Sequence, residues 1–106
     1  MKRGTTPTLK ISIEKINIED VKTIEFIFKS RKQEASETII LKKYPDDASY
    51  ADNVFLLKFT DAETRLFASG STVFMDTRIV CKNGTIPETD IAEIPVKPTL
   101  FEEVSI

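Results

Sequence analysis

Short segments in which apolar and polar side chains alternate residue by residue run along most of this chain. A period of two places every second side chain on the same face of a β-strand, whereas an amphipathic helix needs apolar residues every three or four positions. Turn-forming residues separate these segments at intervals of roughly ten residues. The strands predicted in this way are 9–14, 23–29, 38–44, 54–59, 72–81 and 91–96, and residues 45–53 are interpreted as a break. Ile39 and Leu41 are expected to share one face of their strand, and Pro95 is expected on an exposed edge or at a bulge. The side chains expected to face inward in the other strands include Ile24, Phe26, Phe28, Phe55, Leu57, Phe59, Val73, Met75, Ile79, Ala92, Ile94 and Val96.

Several short strands of this kind predict an all-β protein. Two antiparallel sheets packed face to face bury one face of every strand, which favours a β-sandwich. A small closed barrel is the competing architecture. With 106 residues, the chain is expected to form one domain over residues 1–106, with a C-terminal tail at about 98–106.

A different signal interrupts the strands at residues 60–67. Thr60 is followed three positions later by Glu63, and this spacing is the capping box that begins a helix. The threonine hydroxyl accepts a hydrogen bond from the N–H of Glu63, and the carboxylate returns to the N–H of Thr60. Gly70 is a suitable stop. One short helix near residues 60–67 is therefore predicted between two strands, with Leu66 or Phe67 packing on the sandwich.

Several residue types on which common catalytic and metal sites depend are absent or scarce in the chain. It has no histidine, a single cysteine at Cys81 and three widely spaced glycines. These counts remove the Ser-His and Cys-His nucleophile pairs, the structural zinc sites and the glycine-rich phosphate loops. We therefore predict a protein that is not an enzyme, with no catalytic, metal or cofactor-binding residues, and we interpret Cys81 as a small core residue.

Charge and hydropathy narrow the expected partners. The net charge is −2, so the chain lacks the basic character that nucleic-acid binders usually show. Its apolar runs are far shorter than the about 20 residues of a membrane helix. One thiol cannot form an internal disulfide, which favours synthesis in a reducing cytoplasm. Protein partners are expected, and neither nucleic acid nor a membrane.

The candidate interaction residues are apolar side chains that the predicted core leaves out. Phe74 and Val80 lie on the outward face of the predicted strand 72–81, where they either form an interface or are covered by a loop or by the tail. The tail either folds back or docks on a neighbouring subunit, for example by strand addition. Its candidate contact residues are Leu100, Phe101, Val104 and Ile106.

Three parts of the sequence resemble a family of short prophage proteins of about this length. Residues 1–8, Met-Lys-Arg-Gly-Thr-Thr-Pro-Thr, are similar to the opening of that family, and residues 59–67 are similar to its Leu-Thr-Gln-Glu-Glu-Thr-Leu segment. Residues 78–84 match its arginine-bearing strand before a Lys-Asn-Gly turn, although Asp76 stands where the family has glutamine. The resemblance implies a phage origin and an immunoglobulin-like module similar to the N-terminal domains of baseplate proteins. It supplies no catalytic residues.

The leading hypothesis is therefore a structural or assembly module of a bacteriophage tail or baseplate, which binds phage proteins or other copies of itself. Such a protein would be made in the bacterial cytoplasm and would become part of the virion. Two alternatives stay open. One is a module that binds glycan or protein on the host surface, and the other is a prophage-encoded regulator of a host protein.

Overall fold

The computed structural model describes residues 4–13, 16–31, 37–67 and 72–95. The strands of this part are β1 Thr8–Ile11, β2 Val21–Lys29, β3 Thr38–Tyr44, β4 Ala48–Ala51, β5 Val54–Lys58, β6 Thr72–Cys81 and β7 Ala92–Pro95. A 3-10 turn occupies Ile18–Asp20, and a helix of one turn, α1, occupies Asp61–Thr64. Neither helix of the described ranges has the length and apolar character needed to cross a membrane.

The strands form two antiparallel sheets. One has the order β1-β5-β4 and the other the order β3-β2-β6-β7. The two sheets of an immunoglobulin domain have the same strand orders. Its sheet B-E-D corresponds to β1-β5-β4, and its sheet C′-C-F-G corresponds to β3-β2-β6-β7. The protein is therefore an immunoglobulin-like β-sandwich, as expected. The described residues contain no strand in the position of strand A.

Aromatic rings from both sheets fill the space between them. Phe55 on β5 contacts Phe26 on β2, with ring centroids 5.8 Å apart. It also contacts Tyr44 at 5.2 Å and Tyr50 at 4.7 Å, so its ring joins β2, β3, β4 and β5. The inward faces predicted for three strands are confirmed by burial. These residues are Ile24, Phe26, Phe28, Phe55, Leu57, Phe59, Val73, Met75 and Ile79.

The predicted short helix is present, and its N-terminus is the expected capping box. Glu63 N–H donates to Thr60 Oγ1 at 3.1 Å, and Thr60 N–H donates to Glu63 Oε1 at 2.9 Å. Of the two side chains expected to pack on the sandwich, Phe67 is 1% exposed and Leu66 is 61% exposed. Phe67 therefore anchors α1 to the core, where it contacts Phe28.

A polar contact also ties α1 to the four-stranded sheet. Lys42 Nζ on β3 lies 2.7 Å from Glu63 Oε2 and 5.1 Å from the centre of the Phe59 ring. Burial raises the pKa of the Glu63 carboxyl, but hydrogen bonds from Lys42 and from the Thr60 N–H outweigh burial and hold that pKa below its ordinary value. The charged form of Glu63 therefore stabilises the fold.

Because the pKa of Glu63 is lowered in the folded protein, its contribution to the free energy of unfolding depends on pH in a defined direction. Its contribution is present above the ordinary carboxyl pKa and is lost as the pH falls through the lower folded value. Glu63→Gln should therefore cost about 1 kcal/mol at neutral pH, and the cost should shrink in acid. Urea denaturation across a pH series measures it. A Lys42→Met variant should lose part of the same pH-dependent stability; a cost that stays constant with pH would contradict the assignment.

One strand was not predicted. Residues 45–53 carry many turn formers and were interpreted as a break, but Ala48–Ala51 forms β4, which pairs with β5 in a hairpin. Asp52 and Asn53 both have positive φ angles, 52° and 65°, and they connect Ala51 to its partner Val54. A two-residue turn with positive φ at both positions matches the right-handed twist of a hairpin. The polar residues therefore make the turn, and the short strand before it was missed.

The side chains of β7 that were predicted to face inward do so, but one of them is exposed to solvent. Ala92 pairs with Met75 and Ile94 pairs with Val73, so both side chains point inward as predicted. Ile94 packs against the core, but Ala92 is exposed because it lines an open cleft. β7 is an edge strand of the sheet, which suits Pro95 as expected. Val96, the third predicted inward residue, lies outside the described residues.

Candidate interaction surfaces

The solvent side of the four-stranded sheet, here the outer face, carries apolar side chains among its charges. Ile27 on β2 pairs with Leu41 on β3, and Leu41 is 41% exposed. Phe74 on β6 is half-buried and pairs with Lys29, which places it diagonally across from Ile27. Side chains on a diagonal are within reach of one another when one of them is aromatic. We call Ile27, Leu41 and Phe74 the outer apolar patch.

Phe74 and Val80, the predicted contact residues of β6, both lie on this outer face, but they do not form one patch. Both side chains are half-buried. They are six residues apart on one strand, which is about 20 Å. Between them, Arg78 Nη1 lies 3.3 Å from Glu25 Oε1 on β2. The structure therefore separates Val80 from the outer apolar patch by an ion pair.

Sequence reasoning missed two members of the outer apolar patch. Ile27 stands between Phe26 and Phe28, so the period of two already places it outward. Leu41 was predicted to share a face with Ile39. Neither Ile27 nor Leu41 was recognised as a candidate contact residue. The tail residues Leu100, Phe101, Val104 and Ile106 lie outside the described residues, and their role stays a prediction.

A second surface lies at the side of the sandwich. Two clefts of about 520 Å³ and about 350 Å³ adjoin each other there, because both are lined by Ile13, Glu88 and Thr89. One wall consists of residues 11–13, 16 and 17, of which Ile11 is the last residue of β1, and the other consists of residues of β6 with residues 85–90 and 92. We call the two clefts together the β1 groove. Its apolar lining comprises Ile11, Ile13, Ile16, Val21, Met75, Ile79, Cys81, Ile86, Pro87 and Ala92.

The β1 groove is open because strand pairing stops early on both of its sides. β1 pairs with β5 and, within the described ranges, with no other strand. β7 pairs with β6 only from Thr72 to Met75. Beside the second half of β6, a loop takes the place of a paired strand. In this loop, Thr89 Oγ1 donates a hydrogen bond to Thr77 O at 2.6 Å. The missing strand A would lie beside β1, so its absence from the described part leaves this side uncovered.

The rim of the β1 groove is acidic. Asp20 and Glu88 line the larger cleft, Glu88 and Asp90 line the smaller one, and all three side chains are exposed. The described lining of the two clefts includes no lysine or arginine. Three exposed carboxylates in a described lining that holds no lysine or arginine give this rim a negative potential.

Two further observations concern metal binding and titratable groups in the described residues. Within the ranges that the structure covers, no group of three or more His, Cys, Asp or Glu residues is placed to hold a metal ion. Glu63, the group with a lowered pKa, is held by Lys42 and by the helix cap. Its carboxylate is therefore part of the fold, and the two surfaces above are the candidate functional sites.

No family model, curated protein or solved structure matches the chain.

Proposed function

We propose that this chain is a non-catalytic structural or assembly module of a bacteriophage tail or baseplate, and that it works by binding other proteins. The observation that supports binding is the outer apolar patch. The outward face of an antiparallel sheet is usually polar, and apolar groups clustered on it mark interaction sites. Here Leu41 is 41% exposed beside half-buried Ile27 and Phe74.

The phage assignment rests on the resemblance of residues 1–8, 59–67 and 78–84 to short prophage proteins. The immunoglobulin-like sandwich agrees with what that resemblance implies. Phage tails and baseplates are built by repeating subunits around a symmetry axis. A small rigid sandwich with one contact face suits a repeated position in such an assembly, and the contact is either with another copy or with a different phage protein.

A binding module for glycans on the host surface is the weaker alternative. Sugar-binding sites usually present aromatic rings at a concave surface. The β1 groove is lined by aliphatic and acidic side chains, and the aromatic rings Phe26, Phe28, Phe55, Phe59 and Phe67 are buried in the core. These features favour a protein partner over a carbohydrate.

The proposal can be tested in the prophage that encodes the chain. Deleting the gene should give particles with defective tails, and a wild-type copy should restore infectivity. A Leu41→Glu copy should restore at least about tenfold fewer infective particles, because a charge would be buried at the interface. Leu66→Glu is the matched control, since Leu66 is 61% exposed on the segment after α1 and is not part of the outer apolar patch.

Plaque counts and electron microscopy of released particles measure the result. Circular dichroism of the purified variants checks that Leu41→Glu and Leu66→Glu are both folded. Normal numbers of infective particles from the deletion strain would overturn the proposal. If the Leu41→Glu and Leu66→Glu copies restored infectivity equally, the outer apolar patch would not be the contact surface.

A further inference from the structure

We propose that the β1 groove binds an extended segment of another protein in which apolar side chains alternate with lysine or arginine. This inference concerns a different surface from the outer apolar patch and does not depend on the phage assignment. Three features of the described residues support it: an unpaired strand edge, an apolar floor and an acidic rim.

The unpaired edge gives the segment its conformation. β1 is the first strand of its sheet and pairs only with β5 in the described part of the chain. An edge strand presents a row of free N–H and C=O groups to one side, and an added strand can pair with them. A segment that lies along β1 would take the place of strand A, which closes this side of an immunoglobulin domain.

The floor of the groove selects apolar side chains. Ile13 and Ile16 are half-buried on one wall, and Met75 and Ile79 of β6 are buried on the other. Ala92 points inward and is nevertheless exposed, so an inward position of β7 has no cover among the described residues. An added strand directs every second side chain to one face, and that face would fill the floor.

The rim selects cations at the positions in between. Asp20, Glu88 and Asp90 are exposed along the groove, and its described lining contains no lysine or arginine. A partner with Lys or Arg at alternate positions would complement this charge. The chain's own residues 99–106 carry two glutamates and no cation, so their charge does not suit the rim.

A synthetic peptide of this chemistry tests the proposal with the full-length protein. The probe is acetyl-(Val-Lys)₄-amide, titrated into isotope-labelled protein and followed by the backbone N–H signals. We expect shifts at residues 11–13, 77–81 and 89–92. The same peptide with N-methylated valines cannot donate backbone hydrogen bonds from those residues and should bind at least about tenfold more weakly. An acetyl-(Val-Glu)₄-amide peptide should not bind.

Charge reversal at the rim is the second arm. Glu88 and Asp90 are exposed, so the double variant Glu88→Lys, Asp90→Lys should fold normally and bind the Val-Lys peptide about tenfold more weakly. The control is Glu37→Lys, Asp46→Lys, which makes the same change in net charge at exposed positions outside the lining of the groove. The control should bind within about twofold of the wild type.

Several results would overturn the proposal. One is no binding of the Val-Lys peptide at about 1 mM, the weakest affinity of interest for a specific site. Another is a peptide affinity that is unchanged by N-methylation and by charge reversal, or N–H signal shifts that are confined to the outer apolar patch. A third is a dimer in solution that occludes the groove, seen as a concentration-dependent sedimentation coefficient that the Glu88→Lys, Asp90→Lys variant abolishes.

Discussion

Phe55→Ala should lower the free energy of unfolding by about 3–5 kcal/mol, the range measured when large buried aromatic side chains are truncated. Phe55 is 1% exposed and contacts Phe26, Tyr44 and Tyr50. Removing its ring leaves a cavity between the sheets and removes a contact that joins them. Small domains often have total stabilities of about 5–15 kcal/mol, so the variant should be close to unfolded.

Urea denaturation followed by circular dichroism measures this loss. Leu66→Ala is the control, because Leu66 is 61% exposed and its truncation should change stability by no more than about 0.5 kcal/mol. Phe55→Leu keeps part of the apolar volume and should fall between the two. A loss below about 1 kcal/mol for Phe55→Ala would show that the two sheets do not pack through this ring.

Thr64→Val should cost about 2 kcal/mol, although the two side chains have nearly the same shape. Thr64 is fully buried, and its hydroxyl joins the N-terminal segment to α1. Thr64 Oγ1 accepts from the Gly4 N–H at 2.9 Å and donates to Thr5 O at 2.9 Å. Valine would remove the acceptor of the Gly4 N–H and a donor to Thr5 O, and removal of a buried hydrogen-bonding group is costly.

Hydrogen exchange of the Gly4 amide separates this role from simple packing. The Gly4 N–H should exchange rapidly in Thr64→Val and remain protected in Thr64→Ser, which keeps the hydroxyl and loses only a methyl group. The serine variant should therefore lose about 1 kcal/mol. Equal protection of the Gly4 amide in both variants would mean that the N-terminal segment is held by other contacts.

The faces of the strands could be predicted because they depend on local order in the sequence. Alternating residues such as Ile24, Phe26 and Phe28 occupy one side of a strand whatever its neighbours are. The helix at Asp61–Thr64 was predictable for a similar reason, since Thr60 and Glu63 form the capping box within one turn. A pattern that is decided within a few residues needs no knowledge of the rest of the chain.

The surfaces could be predicted only in part, because they depend on pairing between distant residues. The sequence placed Phe74 and Val80 on the outer face, but the register that sets Leu41 beside Ile27 joins residues of different strands. The β1 groove depends on a strand position that the described residues leave empty, and alternation does not show which edges stay unpaired. β4 was missed because the positive φ angles of Asp52 and Asn53 make a tight hairpin from residues typical of loops.

The central proposal is that this immunoglobulin-like sandwich is a structural or assembly part of a phage tail or baseplate. Quantitative mass spectrometry of purified particles, released after induction of the encoding prophage, tests it most directly. We predict peptides of this chain in a fixed ratio to a known tail protein, retained through density-gradient purification. Absence of the chain from purified particles, with its expression confirmed in the same lysate, would contradict a place in the virion.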